Sequence, residues 1–456
     1  MKKVVKFGGS SLADGRQYQK VVDIIKSDSQ RKVVVVSAPG KRFDDDIKVT
    51  DLLIQYAQES QQAGPQTAQT EIIARYQAIS DYFQLDAATF VPILDTILAL
   101  PDQKFIDSDY RLAYFKAHGE KLNAMLMAMV LQKLGLPARF IDPAQAGLIV
   151  SDDANSATVL PETYTNLAQL KYEEQDILVF PGFFGITKNE QIATFARGGS
   201  DITGSIVARG LGISLYENFT DVSSIYVANP KIIDKPAPIA EMTYREMREL
   251  SYAGFSVFND EAIIPAIEGE VTINVKNTND PQAPGTMIVP EDGFQPQYPI
   301  TGVTSSNHFS ALYLHRYLLN QEVGLTLKLL QIFYKYGISY EHMPSGIDDL
   351  TIIFDNRQFN QTTIQQLCQE VQDVLHPDTL KWIDDYSIIM VVGEGMLRQS
   401  KATSEAINVL AQKGIPVNMI NQGASQISTM IGTSRADANQ AVIDIYHHFF
   451  KNRKEA

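Results

Sequence analysis

The chain has 456 residues, 45% of them hydrophobic and 20% charged. That is the balance of globular protein, and the length exceeds what one core usually fills, so two or three domains are expected. Lys and Arg number 39 against 53 Asp and Glu, a formal net charge of −14; such a field repels phosphate backbones, and no Lys/Arg cluster reverses it, so nucleic acid is not an expected partner. Cys368 is the single cysteine, which excludes an intrachain disulfide and a thiolate metal cluster. The start, Met1-Lys2-Lys3-Val4-Val5-Lys6, lacks the apolar run of a signal peptide, and no stretch nears the roughly 20 apolar residues of a membrane span. A cytoplasmic protein without a membrane partner is expected.

Along the first two-thirds, short apolar runs alternate with helical patterns, the mark of an α/β domain with a mostly parallel sheet. Val4 to Phe7 and Lys32 to Ser37 read as buried strands, separated by Tyr18, Val21, Val22 and Ile25 at helical spacing. Residues 60–105, rich in Gln and Ala, read as a helical insertion over the cleft. Leu122, Met125, Leu126, Met129 and Val130 form the stripe of one long helix. Strands are then expected at Ile177–Phe180, Ile192–Phe195, Ile213–Tyr216 and Ser224–Val227. Asn279 to Gly285, followed by Pro290, Pro296 and Pro299, reads as a linker region.

Beyond it lies a repeat. Gly337-Ile338 leads to Met343 and Gly346, and Gly414-Ile415 leads to Ile420 and Gly423 with the same spacing. Each copy is preceded by a strand (Phe309–Leu314, Ile388–Val392) and a helix, and followed by a strand (Leu350–Phe354, Ile427–Ile431) and a helix. That β-α-β-β-α order is most of a ferredoxin-like unit.

Two glycine loops carry the chemistry. Lys6-Phe7-Gly8-Gly9-Ser10-Ser11 ends a strand and precedes a helix. Adjacent glycines let backbone N–H groups approach phosphate oxygens, the helix offers its positive end, and Lys6 can reach a transferring phosphoryl group. The loop is neither a Walker A sequence nor a dinucleotide fingerprint. The bland alternative is a tight turn beside a solvated lysine. The second loop, Phe195-Ala196-Arg197-Gly198-Gly199-Ser200-Asp201, also runs from strand to helix. Arg197 offers a planar fork to a carboxylate. Ser200 and Asp201 sit where plain N-caps would, but capping does not call for Arg-Gly-Gly before it.

Thr220-Asp221, with Tyr226, Asn229, Pro230 and Lys231 after it, lies where nucleotides bind in doubly wound sheets. Glu120 lies off its helix's apolar stripe, a position usually solvated, and Thr50 reads equally as a helix cap. His447 and His448 are adjacent on different helical faces, so no protein metal site is expected.

Taken together, these segments resemble the aspartate kinase branch of the amino acid kinase family. The resemblance covers essentially the whole chain: KFGGSS at Lys6–Ser11, VVVVSAPGKR at Val33–Arg42, KVTDLL at Lys48–Leu53, HGE at His118–Glu120, PGFFG at Pro181–Gly185, TFARGGSDITG at Thr194–Gly204, ENFTDVSSIYVANPK at Glu217–Lys231 and VKNTNDPQAPGTMI at Val275–Ile288. EHMPSGID at Glu341–Asp348 and MINQGAS at Met419–Ser425 are similar to the paired ACT domains of the same enzymes.

The resemblance implies an amino-acid-kinase-like three-layer α/β domain at 1–295 and ACT domains at 301–384 and 385–456. It implies transfer of the γ-phosphoryl of ATP, with Mg2+, to the side-chain carboxylate of L-aspartate, the first step towards lysine, threonine and methionine. The implied catalytic residues are Lys6, Arg197 and Asp201. Gly8, Gly9, Ser10 and Ser11 would line the ATP phosphates, and Thr220, Asp221, Tyr226 and Lys231 would hold the nucleotide. Thr50, Glu120, Phe183, Arg197, Gly198, Gly199 and Ser200 would hold aspartate, with Glu120 on its α-ammonium. The chain departs from the family where Asn229-Pro230-Lys231 replaces D-P-R. It departs again where Gly254-Phe255-Ser256-Val257-Phe258-Asn259-Asp260 lacks the lysine of G-A-K-V-L-H-P. A weaker nucleotide KM is expected from the lost cation.

The ACT modules imply a lysine or threonine effector held by Gly324, Leu325 and Glu341, and a homodimer or higher homo-oligomer formed through those modules. Glu341 reads equally as a solvated strand residue. Two other functions stay open: a related acyl kinase such as a glutamate kinase, and a degenerate kinase that acts only as an amino-acid sensor. Gly393-Glu394-Gly395 lacks the third glycine of a dinucleotide loop, so a fused dehydrogenase is not expected.

Overall fold

The apolar run that opens the chain becomes β1 (Lys3–Phe7), in the middle of an eight-stranded sheet. The computed structural model describes residues 2–450 apart from 197, 253, 256, 257, 259, 260 and 400. Ten more strands follow in the same part of the chain: β2 (Arg31–Val36), β3 (Ala138–Phe140), β4 (Ile149–Val150), β5 (Ile177–Pro181), β6 (Phe184–Thr187), β7 (Ile192–Thr194), β8 (Leu215–Thr220), β9 (Glu241–Thr243), β10 (Thr272–Asn277) and β11 (Thr286–Val289). The large sheet runs β3-β5-β2-β1-β8-β10-β11-β9 and is parallel except at β10–β11. β4, β6 and β7 form a separate three-stranded sheet.

The two-residue period of a strand splits β1 and β8 between two layers. Val5, Phe7 and Phe219 face a core shared with the Gly15–Ser27 and Ser108–Lys133 helices, and Phe7 stacks on Phe219 with ring centroids 5.1 Å apart. Lys6 and Asn218 point to the other face, towards the Gly199–Gly210 helix. Residues 60–105 do form helices, at Thr67–Tyr82 and Ala87–Ala99.

The chain folds as two compact units. The first comprises Met1–Ile225, Pro238–Ser251 and Ser256–Phe294; the second comprises Tyr226–Ala237, Tyr252–Phe255 and Gln295–Ala456. In the second unit, β12 (Gly302–His315), β13 (Asp349–Asp355), β14 (Thr379–Val392), β15 (Met419–Asn421) and β16 (Ser428–Thr433) make one antiparallel sheet in the order β13-β12-β14-β16-β15. Both repeats therefore build a single sheet across the β12–β14 pair. The strand expected after Gly337 is reduced to the isolated bridges His342↔Ile353 and Ser345↔Leu350.

Three expectations need correction. Ser224–Val227 is not a strand: the Ile225 N–H donates to Thr286 Oγ1 at 2.8 Å, and the Val227 N–H donates to the Ala237 carbonyl at 3.0 Å. Single bonds to separate partners do not make a ladder. The strand expected at Ile213–Tyr216 starts at Leu215 and runs to Thr220, because the Ile213 N–H closes the preceding helix on the Ala208 carbonyl. The linker expected from Asn279 begins later. Pro281, Pro284 and Gly285 turn the β10–β11 hairpin, so their turn chemistry serves a sheet rather than a domain boundary.

Candidate active site

Parallel strands leave their carboxyl ends at one rim of the sheet, and loops from β5, β2, β1 and β8 converge there. Gly8 and Gly9 follow β1, with the Gly8 N–H donating to the Phe219 carbonyl of β8 at 3.3 Å. On the other side the Gly40 N–H donates to the Gly9 carbonyl at 2.8 Å. No side chain fits between these backbones: a Cβ on Gly9 would lie 2.9 Å from the Ala38 oxygen, and one on Gly40 would lie 2.7 Å from the Gly9 carbonyl carbon. The glycines are there for close approach of two loops, which leaves a bare peptide surface beside Lys6.

The helix Gly199–Gly210 starts from Gly198, whose φ of +85° is open to glycine at little cost. Its cap makes no side-chain hydrogen bond, so the N-cap reading of Ser200 and Asp201 does not hold. Asp201 instead reaches back to the sheet. Its Oδ1 lies 2.6 Å from Lys6 Nζ and accepts from Asn218 Nδ2 at 3.0 Å.

Lys6, Ser37, Glu120, Phe183, Gly198, Gly199, Ser200 and Asp201 line one cavity of about 190 Å³. That is below the roughly 300–1,000 Å³ of sites for drug-sized ligands and suits a small amino acid. Phe183 closes one wall at a φ of +76°, a strained conformation for a bulky residue. It is held by its N–H on Thr203 Oγ1 at 3.0 Å and by its carbonyl accepting the Phe195 N–H at 2.8 Å. Lys116 Nζ lies 5.8 Å from the centre of its ring.

Glu120 is 6% exposed, so the expectation of a solvated position is overturned. The middle of its helix is covered by the sheet and by neighbouring helices, which leaves no solvent face there. Burial pushes its carboxyl up to about 8, against the opposing pull of the Ala38 amide, Lys6 and Lys116. Oε2 is buried without a hydrogen-bond partner among the described residues. An orphaned acceptor in a small cavity is what a ligand ammonium would satisfy. His118, on the same helix, is neutral: burial lowers it to about 4, and Nδ1 lies 2.7 Å from the Tyr114 carbonyl.

Other expected residues are placed as follows. Arg197 lies outside the described residues, as do Ser256 and Asn259. Thr50 is half-buried at the start of the Val49–Glu59 helix and does not line the cavity. Ser10 is exposed on the loop after β1, whereas the Ser11 hydroxyl is engaged by Thr278 Oγ1 at 2.7 Å. Thr220 and Asp221 close β8 next to Gly8, with Thr220 Oγ1 donating to Asp221 Oδ1 at 3.1 Å. Tyr226 and Lys231 belong to the second compact unit, where Asn229 Oδ1 accepts the Lys231 N–H at 2.9 Å.

Also in the second unit, Gly324 starts the Leu325–Tyr336 helix, Leu325 is buried, and Glu341 Oε2 accepts from the Tyr252 hydroxyl at 2.5 Å. Two site residues escaped the sequence reading. Ser37 follows the buried run of β2, where its N–H donates to the Phe7 carbonyl at 3.2 Å, and Asn218 lies inside the ENFTDV segment, where only its register against Lys6 of β1 gives it away.

A buried ammonium, two glycine loops and a small cavity with an orphaned carboxyl define a phosphotransferase acting on a small amino acid. Residues 1–277 match the amino acid kinase family, and residues 389–449 match an ACT domain. The chain is 44% identical to Aspartokinase 3 of Bacillus subtilis, over 98% of both chains. The crystal structure of Clostridium acetobutylicum aspartate kinase, described as an allosteric enzyme, aligns at a TM-score of 0.86 with 33% identity, over 98% of this chain and 100% of that one.

Two structures of E. coli aspartokinase III share the fold. One, with aspartate and ADP, aligns at a TM-score of 0.77 with 22% identity over 99% of this chain and 100% of that one. The other, with lysine and aspartate, aligns at 0.78 with 23% identity over 98% and 99%. The chain belongs to the aspartate kinases of the amino acid kinase family: it phosphorylates the side-chain carboxylate of aspartate. Among the described residues, no helix is long and apolar enough to cross a membrane.

Proposed function

We propose that the cavity at Lys6, Glu120 and Asp201 is the aspartate half of the active site, and that MgATP is the phosphoryl donor. An oxygen of the aspartate side-chain carboxylate forms a bond to the γ-phosphorus, and the bond from that phosphorus to the β,γ-bridging oxygen breaks. The electron pair leaves on ADP, and the product is 4-phospho-L-aspartate. The nucleophile has an unperturbed pKa near 4, so no general base is needed at neutral pH. The site must bring two anions together in line and neutralise the charge that builds between them.

Lys6 carries that neutralisation, turning from Asp201 to the transferring phosphoryl group. The peptide edges at Gly8 and Gly9, with Ser10 and Ser11, face the phosphates, and Thr220 and Asp221 hold the nucleotide. Glu120 pairs with the α-ammonium of aspartate and Arg197 with a carboxylate, while Thr50, Phe183, Gly198, Gly199 and Ser200 shape the pocket.

Among the described residues, no three His, Cys, Asp or Glu side chains gather as a metal site. Mg2+ would be carried on the nucleotide phosphates, and the Asp221 carboxylate would help to hold it. When bound, the ion would supply further charge neutralisation. ADP in an E. coli relative supports the nucleotide assignment.

The kinase region occupies 1–295 and the two ACT domains 301–384 and 385–456, in a cytoplasmic homodimer or higher homo-oligomer joined through the ACT modules. The effector is lysine, with its ammonium on Glu341 and its carboxylate at the Gly324–Leu325 helix start; lysine in the E. coli relative supports this choice over threonine.

The observation that carries the catalytic reading is the 2.6 Å approach of Lys6 Nζ to Asp201 in the cavity that holds the orphaned Glu120 carboxyl. The test is ATP-dependent acyl phosphate formation, trapped with hydroxylamine, on L-aspartate, L-glutamate and succinate. Hydroxamate from L-aspartate alone is expected. A preference for glutamate, or no product from any acceptor, contradicts the reading; the second result is that of a degenerate sensor.

A further inference from the structure

Asn218 lies directly across from Lys6 in the parallel β1–β8 register, and Val4 and Lys6 pair with Tyr216 and Asn218 along the same face. Strand spacing places two such side chains roughly 5 Å apart at their roots. Asn218 is 1% exposed. Its Nδ2 donates at 3.0 Å to Asp201 Oδ1, the same oxygen that Lys6 Nζ meets at 2.6 Å. The opposite amide orientation would set two acceptor oxygens against each other, so the carboxylate determines which end faces it. Asn218 Oδ1 is buried without a partner among the described residues. A side chain kept here for packing would be apolar like buried Val4 on the same face, because an unmet buried carbonyl destabilises the fold.

We propose that Asn218 is a positioning residue for phosphoryl transfer: its amide keeps Asp201 in place and hydrogen-bonded while Lys6 turns to the phosphoryl group. The proposal rests on the catalytic reading of Lys6 and Asp201 given above. One ammonium cannot serve two anions fully. When negative charge builds on the transferring oxygens, Lys6 must loosen its hold on Asp201 and leave a buried carboxylate short of compensation. Asn218 supplies a second donor to that same oxygen, so the carboxylate competes less for the lysine. Without the amide, the Lys6–Asp201 pair tightens in the ground state and the barrier rises. Aspartate binding, which depends on other groups, is left nearly unchanged.

The test measures kcat and the KM for aspartate by hydroxylamine trapping for wild type, Asn218→Leu, Lys6→Ala and the double variant. Asn218→Leu is expected to lower kcat about tenfold and to move the KM for aspartate by no more than about twofold. With Lys6 absent the amide has nothing to release, so the double variant should be no slower than Lys6→Ala alone. An equal fold loss in both backgrounds, or none in Asn218→Leu, overturns the proposal and leaves the Lys6 reading standing. A Lys6→Ala rate equal to wild type overturns that reading, and the proposal with it. Should the leucine variant fail to fold, Asn218→Ala removes the donor without adding a second carboxyl beside Asp201. It is expected to show the same fall in kcat and the same lack of additivity; wild-type turnover in it overturns the proposal.

Discussion

Lys6 Nζ and Asp201 Oδ1 lie 2.6 Å apart, joining the end of the central strand to the first turn of the Gly199–Gly210 helix. The pair is nearly buried, with side-chain exposures of 9% and 15%, so its charges act through a poorly screened medium. Asp201→Asn removes the charge that aims the lysine. It is expected to lower kcat roughly tenfold to a hundredfold, the cost of a misplaced catalytic group, with a smaller change in the KM for aspartate. Steady-state kinetics on the purified variant check this.

The neighbouring residue tests the two-layer reading of β8. Glu217 points to the opposite face, where its carboxylate accepts from Arg31 Nε at 2.7 Å and from Nη2 at 3.2 Å. Glu217→Ala leaves the buried Arg31 guanidinium without its carboxylate, with only the Ile24 carbonyl and the Ser27 hydroxyl left to it. It is expected to destabilise the kinase unit by about 3–5 kcal/mol while leaving the KM values of the folded enzyme unchanged. Denaturant titration and kinetics on the same preparation separate the two effects.

Aspartate binding should depend on pH through Glu120. Burial pushes its carboxyl from an ordinary value of 4.5 up to about 8, so at neutral pH it is mostly protonated and must ionise to pair with an ammonium. The KM for aspartate is therefore expected to fall as pH rises through about 8, with about one proton released on binding at pH 7. Calorimetry in buffers of different ionisation enthalpy counts that proton. The sign for folding is opposite. The native state holds this proton more tightly than the unfolded chain, so ligand-free stability declines as pH rises from 4.5 towards 8. Glu120→Gln removes that part of the slope.

Effector binding should be readable at Glu341. Its Oε2 accepts from Tyr252 at 2.5 Å, a bond that a ligand ammonium must replace or share. Millimolar L-lysine is expected to raise the melting temperature and lower activity in wild type. Glu341→Gln is expected to weaken that response roughly tenfold, within the usual range of allosteric coupling. No response to lysine in wild type contradicts the effector assignment.

The parts of the site legible in the sequence were those where local chemistry is decisive. Gly8-Gly9 after β1 and Gly198-Gly199 before a helix announce close approach and anion-facing N–H groups wherever they occur, so Lys6 and Asp201 could be named in advance. Glu120 could be named only by resemblance. Periodicity sets it off the apolar stripe, and nothing local says that other elements cover every side of that helix. Asn218 reads as one polar residue in a strand, and its meaning comes from the register with Lys6 across a pairing more than 200 residues long in sequence.

The misread segments failed for a related reason. The Asn279–Gly285 turn has the composition of a linker, yet it joins two paired strands, and Ser224–Val227 has the composition of a strand but finds no ladder. Pairing partners are not a local property.

The central claim is that Lys6 neutralises the transferring phosphoryl group. The most direct measurement is the single-turnover rate of aspartyl phosphate formation for Lys6→Ala against wild type, at saturating MgATP and aspartate, trapped with hydroxylamine. A fall of about a hundredfold or more is predicted, the usual loss when one charge-stabilising donor is removed from a transition state. Equal rates in the two proteins would contradict it.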